Sequence, residues 1–106
     1  MIVSESNSML TRVVKMNFRS EEVETFKAIF GEIREQIRHF DGCMYLELFQ
    51  QHNRPELFFT YSVWKSETHL EAYRHSELFQ TTWSRTRALF AEKAEAWTLD
   101  SLIRLP

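Results

Sequence analysis

Apolar residues recur along this chain with two different periods, and the points where one period gives way to the other predict its elements. From Met9 to Phe18, MLTRVVKMNF is rich in β-formers, with Leu10, Val14, Met16 and Phe18 on one side of a period-two pattern. That stretch predicts a first strand. Ser20, Glu21 and Glu22 have the composition of a helix start, since a serine oxygen accepts from free backbone N–H groups and carboxylates favour the positive end of the helix dipole. Val23, Phe26, Ile29, Phe30, Ile33, Ile37 and Phe40 then recur at steps of three and four, on one face of a long helix. The helix should stop at Asp41-Gly42, where glycine lets the backbone take a positive φ.

A second strand follows in CMYLELFQQ, where Cys43, Tyr45, Glu47 and Phe49 alternate with Met44, Leu46, Leu48 and Gln50, so that both faces are largely apolar. His52-Asn53-Arg54-Pro55 is a polar turn, and Glu56 to Trp64 is a third strand antiparallel to the second. Ser66 and Ser76 each open a helix by the same capping logic; Leu70 and Tyr73 face inward from the first, and Phe79, Trp83 and Phe90 recur along the second. The closing AEAWTLDSLIRLP alternates around Trp97, Leu99, Leu102 and Ile103 as a last strand. Strand, helix, strand, strand, helix pair, strand is an α+β, ferredoxin-like βαββαβ order with an antiparallel sheet. A few helices cover only one side of such a sheet, so the second apolar face predicts a homodimer.

Composition narrows the reading. With 106 residues, 43% of them hydrophobic, the chain fits one domain over residues 9–106, preceded by a Ser-rich loose tail at residues 1–8. Thirteen basic against fifteen acidic residues leave a charge of -2, and no basic run speaks for a nucleic acid partner. No apolar stretch is long enough for a membrane span or a signal peptide, and the single Cys43 fits a reducing compartment, so a soluble cytoplasmic protein is expected.

The usual catalytic signatures are missing: there is no Gly-rich phosphate loop, no nucleophile elbow, no CxxC and no HExxH. His69 and His75 are six apart and point in different directions on a helix, so no metal site is expected. Cys43 opens an apolar strand and reads as an inert core residue. Trp64, Tyr73, Phe79 and Trp83 stand on elements that must meet between sheet and helices. Aromatics at such spacing most often fill core. Two indole N–H groups and one phenol among the four also suit a pocket that is apolar with a few donors.

The long helix ending in Asp41-Gly42-Cys43, the Phe59 to Trp64 strand with Trp64-Lys65-Ser66, and the Leu70-Glu71-Ala72-Tyr73 to Ser76-x-x-Phe79 segment together carry a resemblance. In order and spacing, from Met9 to Ile103, the chain resembles the antibiotic biosynthesis monooxygenase family of dimeric α+β barrel proteins. The resemblance implies two ferredoxin-like subunits with sheets face to face and a pocket between each sheet and its helices. It also implies oxygenation of a small phenol, hydroquinone or polyketide-like aromatic by O₂ without cofactor or metal. Such a substrate, once deprotonated, supplies the electron to O₂ itself, so the protein need only position it and stabilise the anion. Trp64, Tyr73 and His69 are then the catalytic candidates, with Thr11, Phe79 and Trp83 contacting substrate.

Departures from the family pattern accompany the matches. Many members have a glutamate two residues before the strand tryptophan, where Ser62 stands, and a histidine where Tyr73 stands. The heme-degrading branch uses an asparagine, a tryptophan and a histidine at positions matching Thr11, Tyr73 and Trp83, none of which is retained. Against the oxygenase stand a heme-degrading enzyme using another histidine and a non-catalytic dimer that binds a small hydrophobic ligand. An open cavity at Trp64 and Tyr73 favours the enzyme, and solid packing favours the filled core.

Overall fold

A computed structural model describes residues 9–106, and the expected loose tail at residues 1–8 lies outside them. Strand β1 (Leu10–Asn17) leads through a short 3₁₀ turn at Ser20–Glu22 into helix α1 (Val23–Arg38). Strands β2 (Cys43–Gln50) and β3 (Leu57–Trp64) follow, then helices α2 (Glu67–Arg74) and α3 (Glu77–Arg87) and strand β4 (Glu95–Asp100). The four strands form one sheet in the order β2-β3-β1-β4, antiparallel throughout, which is the α+β ferredoxin-like fold. No helix among the described residues is long and apolar enough to cross a membrane.

Register decides which side chains meet the helices. Leu46, Ser62, Arg12 and Thr98 form one cross-strand row, and Leu48, Thr60, Val14 and Ala96 form the next. Successive residues of a strand point to opposite faces, so Thr11, Val13 and Lys15 stand on the other side, in rows with Tyr45, Tyr61, Trp97 and Leu99. A register shift between Cys43 and Tyr45 adds a residue at the start of β2. Sequence alternation puts Cys43 on the side of Tyr45; the bulge instead lets Cys43 pair with Trp64 and become buried, while Met44 is left exposed.

Two apolar clusters join the helices to the inner face. Met16, Phe18, Val23, Phe26 and Phe58 form the larger, in which Phe18 stacks on Phe26 at a centroid distance of 4.2 Å. Each such buried ring contributes roughly 1.5–3 kcal/mol relative to exposure. Cys43, Trp64 and Leu70 form the smaller, with Phe40 and Tyr73 packed against it.

Ser66 and Ser76 cap their helices as expected, accepting from the backbone N–H of His69 at 3.2 Å and of Phe79 at 3.1 Å. Ser20 does not cap α1. It lies inside the 3₁₀ turn, and α1 starts without a side-chain cap. Arg19 fixes this corner instead, donating to the carbonyls of Ala88 at 3.0 Å and Phe90 at 3.2 Å and pairing with Glu22 at 3.3 Å. Gly42 takes a φ of 90° beneath the His69 ring, where a Cβ would collide with that side chain. β4 ends at Asp100, so Leu102 and Ile103 do not extend it as their alternation suggests; they are 88% and 84% exposed.

Candidate functional site

A cavity of about 90 Å³ lies between the inner face of the sheet and the three helices. A buried water needs only about 10–15 Å³ of comparable space, so the side chains do not fill this region. Leu46, Ser62, Arg12, Thr60 and Val14 supply the floor, the apolar face of α1 supplies one wall, and α2 and α3 supply the other. The sheet places these floor residues together because inward positions alternate along each strand and line up across the register.

The wall opposite α1 is an aromatic ladder. Trp64 stacks on Tyr73 at 4.8 Å with an interplanar angle of 25°, and Tyr73 meets the edge of Phe79 at 5.2 Å. Phe79 in turn lies nearly parallel to Trp83 at 5.9 Å. Trp64, Tyr73, Phe79 and Trp83 therefore converge on one surface of the cavity.

Polar groups at this surface have distinct partners. The Trp64 indole N–H donates to Ser62 Oγ at 2.9 Å, with both residues buried, so that donor is already satisfied. Ser62 thus positions the tryptophan. The Tyr73 hydroxyl has no hydrogen-bond partner among the described residues. Burial pushes its pKa well above the ordinary phenol value, Cys43 adds to the rise, and the Arg12 guanidinium opposes it. Tyr73 is consequently protonated at neutral pH and available as a donor. Burial likewise raises the pKa of the Cys43 thiol, which suits a core residue.

Thr11 and His69 do not reach the cavity. Thr11 pairs with Val63 and Leu99 across the sheet and stands on the outer face, one residue out of phase with Arg12. His69 precedes the inward Leu70 by one residue, about 100° around the helix. Its Nδ1 lies 2.7 Å from Ser66 Oγ and its Nε2 lies 3.8 Å from Asp41, which ties it to the entrance of α2 and to the Gly42 turn. None of the four histidines lines the cavity, and among the described residues no group of three or more His, Cys, Asp or Glu side chains could hold a metal ion.

Sequence periodicity also contains a residue that the aromatic reading passes over. Arg12 shares the inward phase of Leu10, Val14 and Met16, and the structure places it on the cavity floor. Thr60, Thr82 and Thr86 add hydroxyls to the cavity lining, the last of them 4% exposed.

Residues 9–84 match the family model for antibiotic biosynthesis monooxygenase, a region holding every cavity-lining residue except Thr86. The chain belongs to the antibiotic biosynthesis monooxygenase family. A comparison with curated proteins finds no match. Solved structures agree with the family fold at low sequence identity. A conserved protein from Methanosarcina mazei Go1 is 19% identical with a TM-score of 0.84, over 92% of this chain and 97% of that one. Rv0793 from Mycobacterium tuberculosis is 15% identical with a TM-score of 0.85, over 93% of this chain and 100% of its own. A mutant of SnoaB, a cofactor-independent oxygenase from Streptomyces nogalater, is 15% identical with a TM-score of 0.84, over 93% and 98%. Among the described residues, neither an imidazole nor a carboxylate lines the cavity of this member of the antibiotic biosynthesis monooxygenase family.

Proposed function

We propose that the protein is a cofactor-independent monooxygenase that oxidises a small phenol, hydroquinone or polyketide-like aromatic with O₂. The observation that carries this reading is the unfilled cavity bordered by the Trp64, Tyr73, Phe79 and Trp83 ladder, with the Tyr73 hydroxyl unoccupied by any described residue. A flat aromatic substrate lies against the Tyr73 to Trp83 part of that wall, and α1 closes over its other face. The SnoaB likeness supports an oxygenase of this kind.

The chemistry asks little covalent work of the protein. A hydroquinone that has lost a proton passes one electron to O₂; the resulting radical and superoxide combine, and the hydroperoxide loses water. Hydroquinone plus O₂ becomes hydroxyquinone plus water, so atoms and electrons balance without another reductant. No lining side chain is a base at neutral pH, so the phenolic proton leaves to water. Tyr73 donates a hydrogen bond to the phenolate, which lowers the substrate's pKa and holds the ring for attack. The field of Arg12 favours negatively charged over neutral substrates. Trp64, fixed by Ser62, keeps the Tyr73 ring in place by stacking. His69 and Thr11 lie outside the cavity and take no part.

The assembly in this reading is a homodimer with outer sheet faces opposed, supported by the exposed Tyr45, Phe49, Tyr61, Trp97 and Leu99 on that face. A free Cys43 without a disulfide fits a cytoplasmic setting. Oxygen-electrode assays with hydroquinones and anthrones provide the test. Saturable oxygen uptake above the uncatalysed rate is expected for at least one compound. Saturable binding without uptake supports the non-catalytic binder instead. Heme degradation has less support, because no histidine stands in the cavity to ligate iron; heme loss under reductant beyond a catalase-protected control would reverse that judgement.

A further inference from the structure

Among the described residues, one charged side chain lines the cavity. Arg12 comes up from the row Leu46, Ser62, Arg12, Thr98, and every other lining residue is apolar or carries a neutral polar group. Its Nη1 donates to Thr98 Oγ1 at 3.1 Å, a neutral acceptor. Among the described residues no carboxylate lies within ion-pair distance of Arg12. The guanidinium is partly open to solvent at its Thr98 contact, and within the described fold no carboxylate neutralises it.

The surroundings sharpen the imbalance. Arg74 and Glu71 both act on Arg12 through their fields. Glu71 is already engaged, with Arg74 at 3.2 Å and His75 Nδ1 at 3.8 Å. The Arg74 Nε is buried and has no partner among the described residues. Two guanidinium groups against one carboxylate leave one positive charge in excess where the apolar cavity begins. A planar guanidinium presents paired N–H groups at the spacing of two carboxylate oxygens, and a single excess charge matches a monoanion better than a phosphate dianion.

We propose that the substrate is an aromatic acid, a hydroquinone or phenol whose ring carries a carboxylate, with the carboxylate on the Arg12 guanidinium and the ring against Tyr73 and Phe79. The proposal rests on the cavity being the substrate site, and it names the substrate class. Arg12 is then the residue that selects acids over neutral aromatics.

Calorimetric titration under argon with gentisate and with its methyl ester tests this without turnover, because both probes are hydroquinones of similar shape and only one carries the charge. Parent protein should bind gentisate about tenfold or more tightly than the ester. Arg12→Gln should remove that preference by weakening gentisate about tenfold to hundredfold, with ester binding changed less than about threefold. Arg12→Lys should fall between, keeping the charge and losing the fork. Equal binding of acid and ester by the parent overturns the proposal, as does equal weakening of both by Arg12→Gln or no binding of either. If the glutamine variant fails to fold, the parent comparison and the lysine variant decide. Acid preference without oxygen uptake overturns the monooxygenase reading alone; uptake with neutral substrates and no acid preference overturns the role of Arg12 alone.

Discussion

Tyr73 joins a ring packed among aromatics to a hydroxyl that no described residue engages, and these two parts can be separated by one substitution. Tyr73→Phe retains the stacking on Trp64 and the edge contact with Phe79, so unfolding free energy should change by about 1 kcal/mol or less in denaturant titration. If the hydroxyl stabilises a phenolate, kcat should fall about hundredfold, as for the loss of one donor to a developing oxyanion. Parent-like turnover would make the phenol core filling. The same residue sets a sign for alkaline stability. Burial holds the folded phenol protonated above the value near ~10 at which the unfolded chain releases its proton. From that pH upward the unfolded state binds fewer protons than the folded one, so stability falls as pH rises, and below it Tyr73 adds no pH dependence. The melting temperature of the parent should therefore decline more steeply above about pH 10 than that of Tyr73→Phe.

At the scale of elements, the outer sheet face makes the strongest demand. Tyr45, Phe49, Tyr61, Trp97 and Leu99 are each more than a third exposed on it, and the helices all pack on the opposite face. Contiguous apolar surface of this kind marks an interface more often than a solvated face. Light scattering at micromolar concentration should return a dimer mass, and Tyr61→Glu with Trp97→Glu should shift it to monomer; a monomeric parent would contradict the facing-sheet assembly. The element order itself was legible because each strand alternates and each helix repeats apolar residues at its own period. The aromatic ladder was legible too, since Trp64, Tyr73, Phe79 and Trp83 sit on elements that must meet. Less legible were features that depend on register. The bulge that turns Cys43 inward leaves no composition signal, and family spacing put Thr11 in the site although strand phase sends it outward. Arg12 had the inward phase, but a charge in a strand reads as solvent-facing until neighbouring strands show what it faces. His69 was drawn in by its distance from Tyr73 in sequence, whereas helix rotation and the Ser66 hydroxyl hold it at the Gly42 turn.

For the molecule as a whole, four strands and three helices surround a cavity that has an aromatic wall, a protonated phenol and, among the described residues, one guanidinium. Family membership agrees with that arrangement. The chemistry proposed for it differs from oxidase chemistry in where the oxygen atoms go. A monooxygenase places one atom of O₂ in the product and one in water, whereas simple oxidation of a hydroquinone returns both atoms as peroxide. Turnover of a hydroquinone under isotopically heavy dioxygen, followed by mass spectrometry of the quinone, distinguishes the two directly. A hydroxyquinone carrying a single heavy oxygen is expected, with no accumulation of hydrogen peroxide. An unlabelled quinone accompanied by equimolar peroxide, or labelling no greater than in protein-free solution, would contradict it.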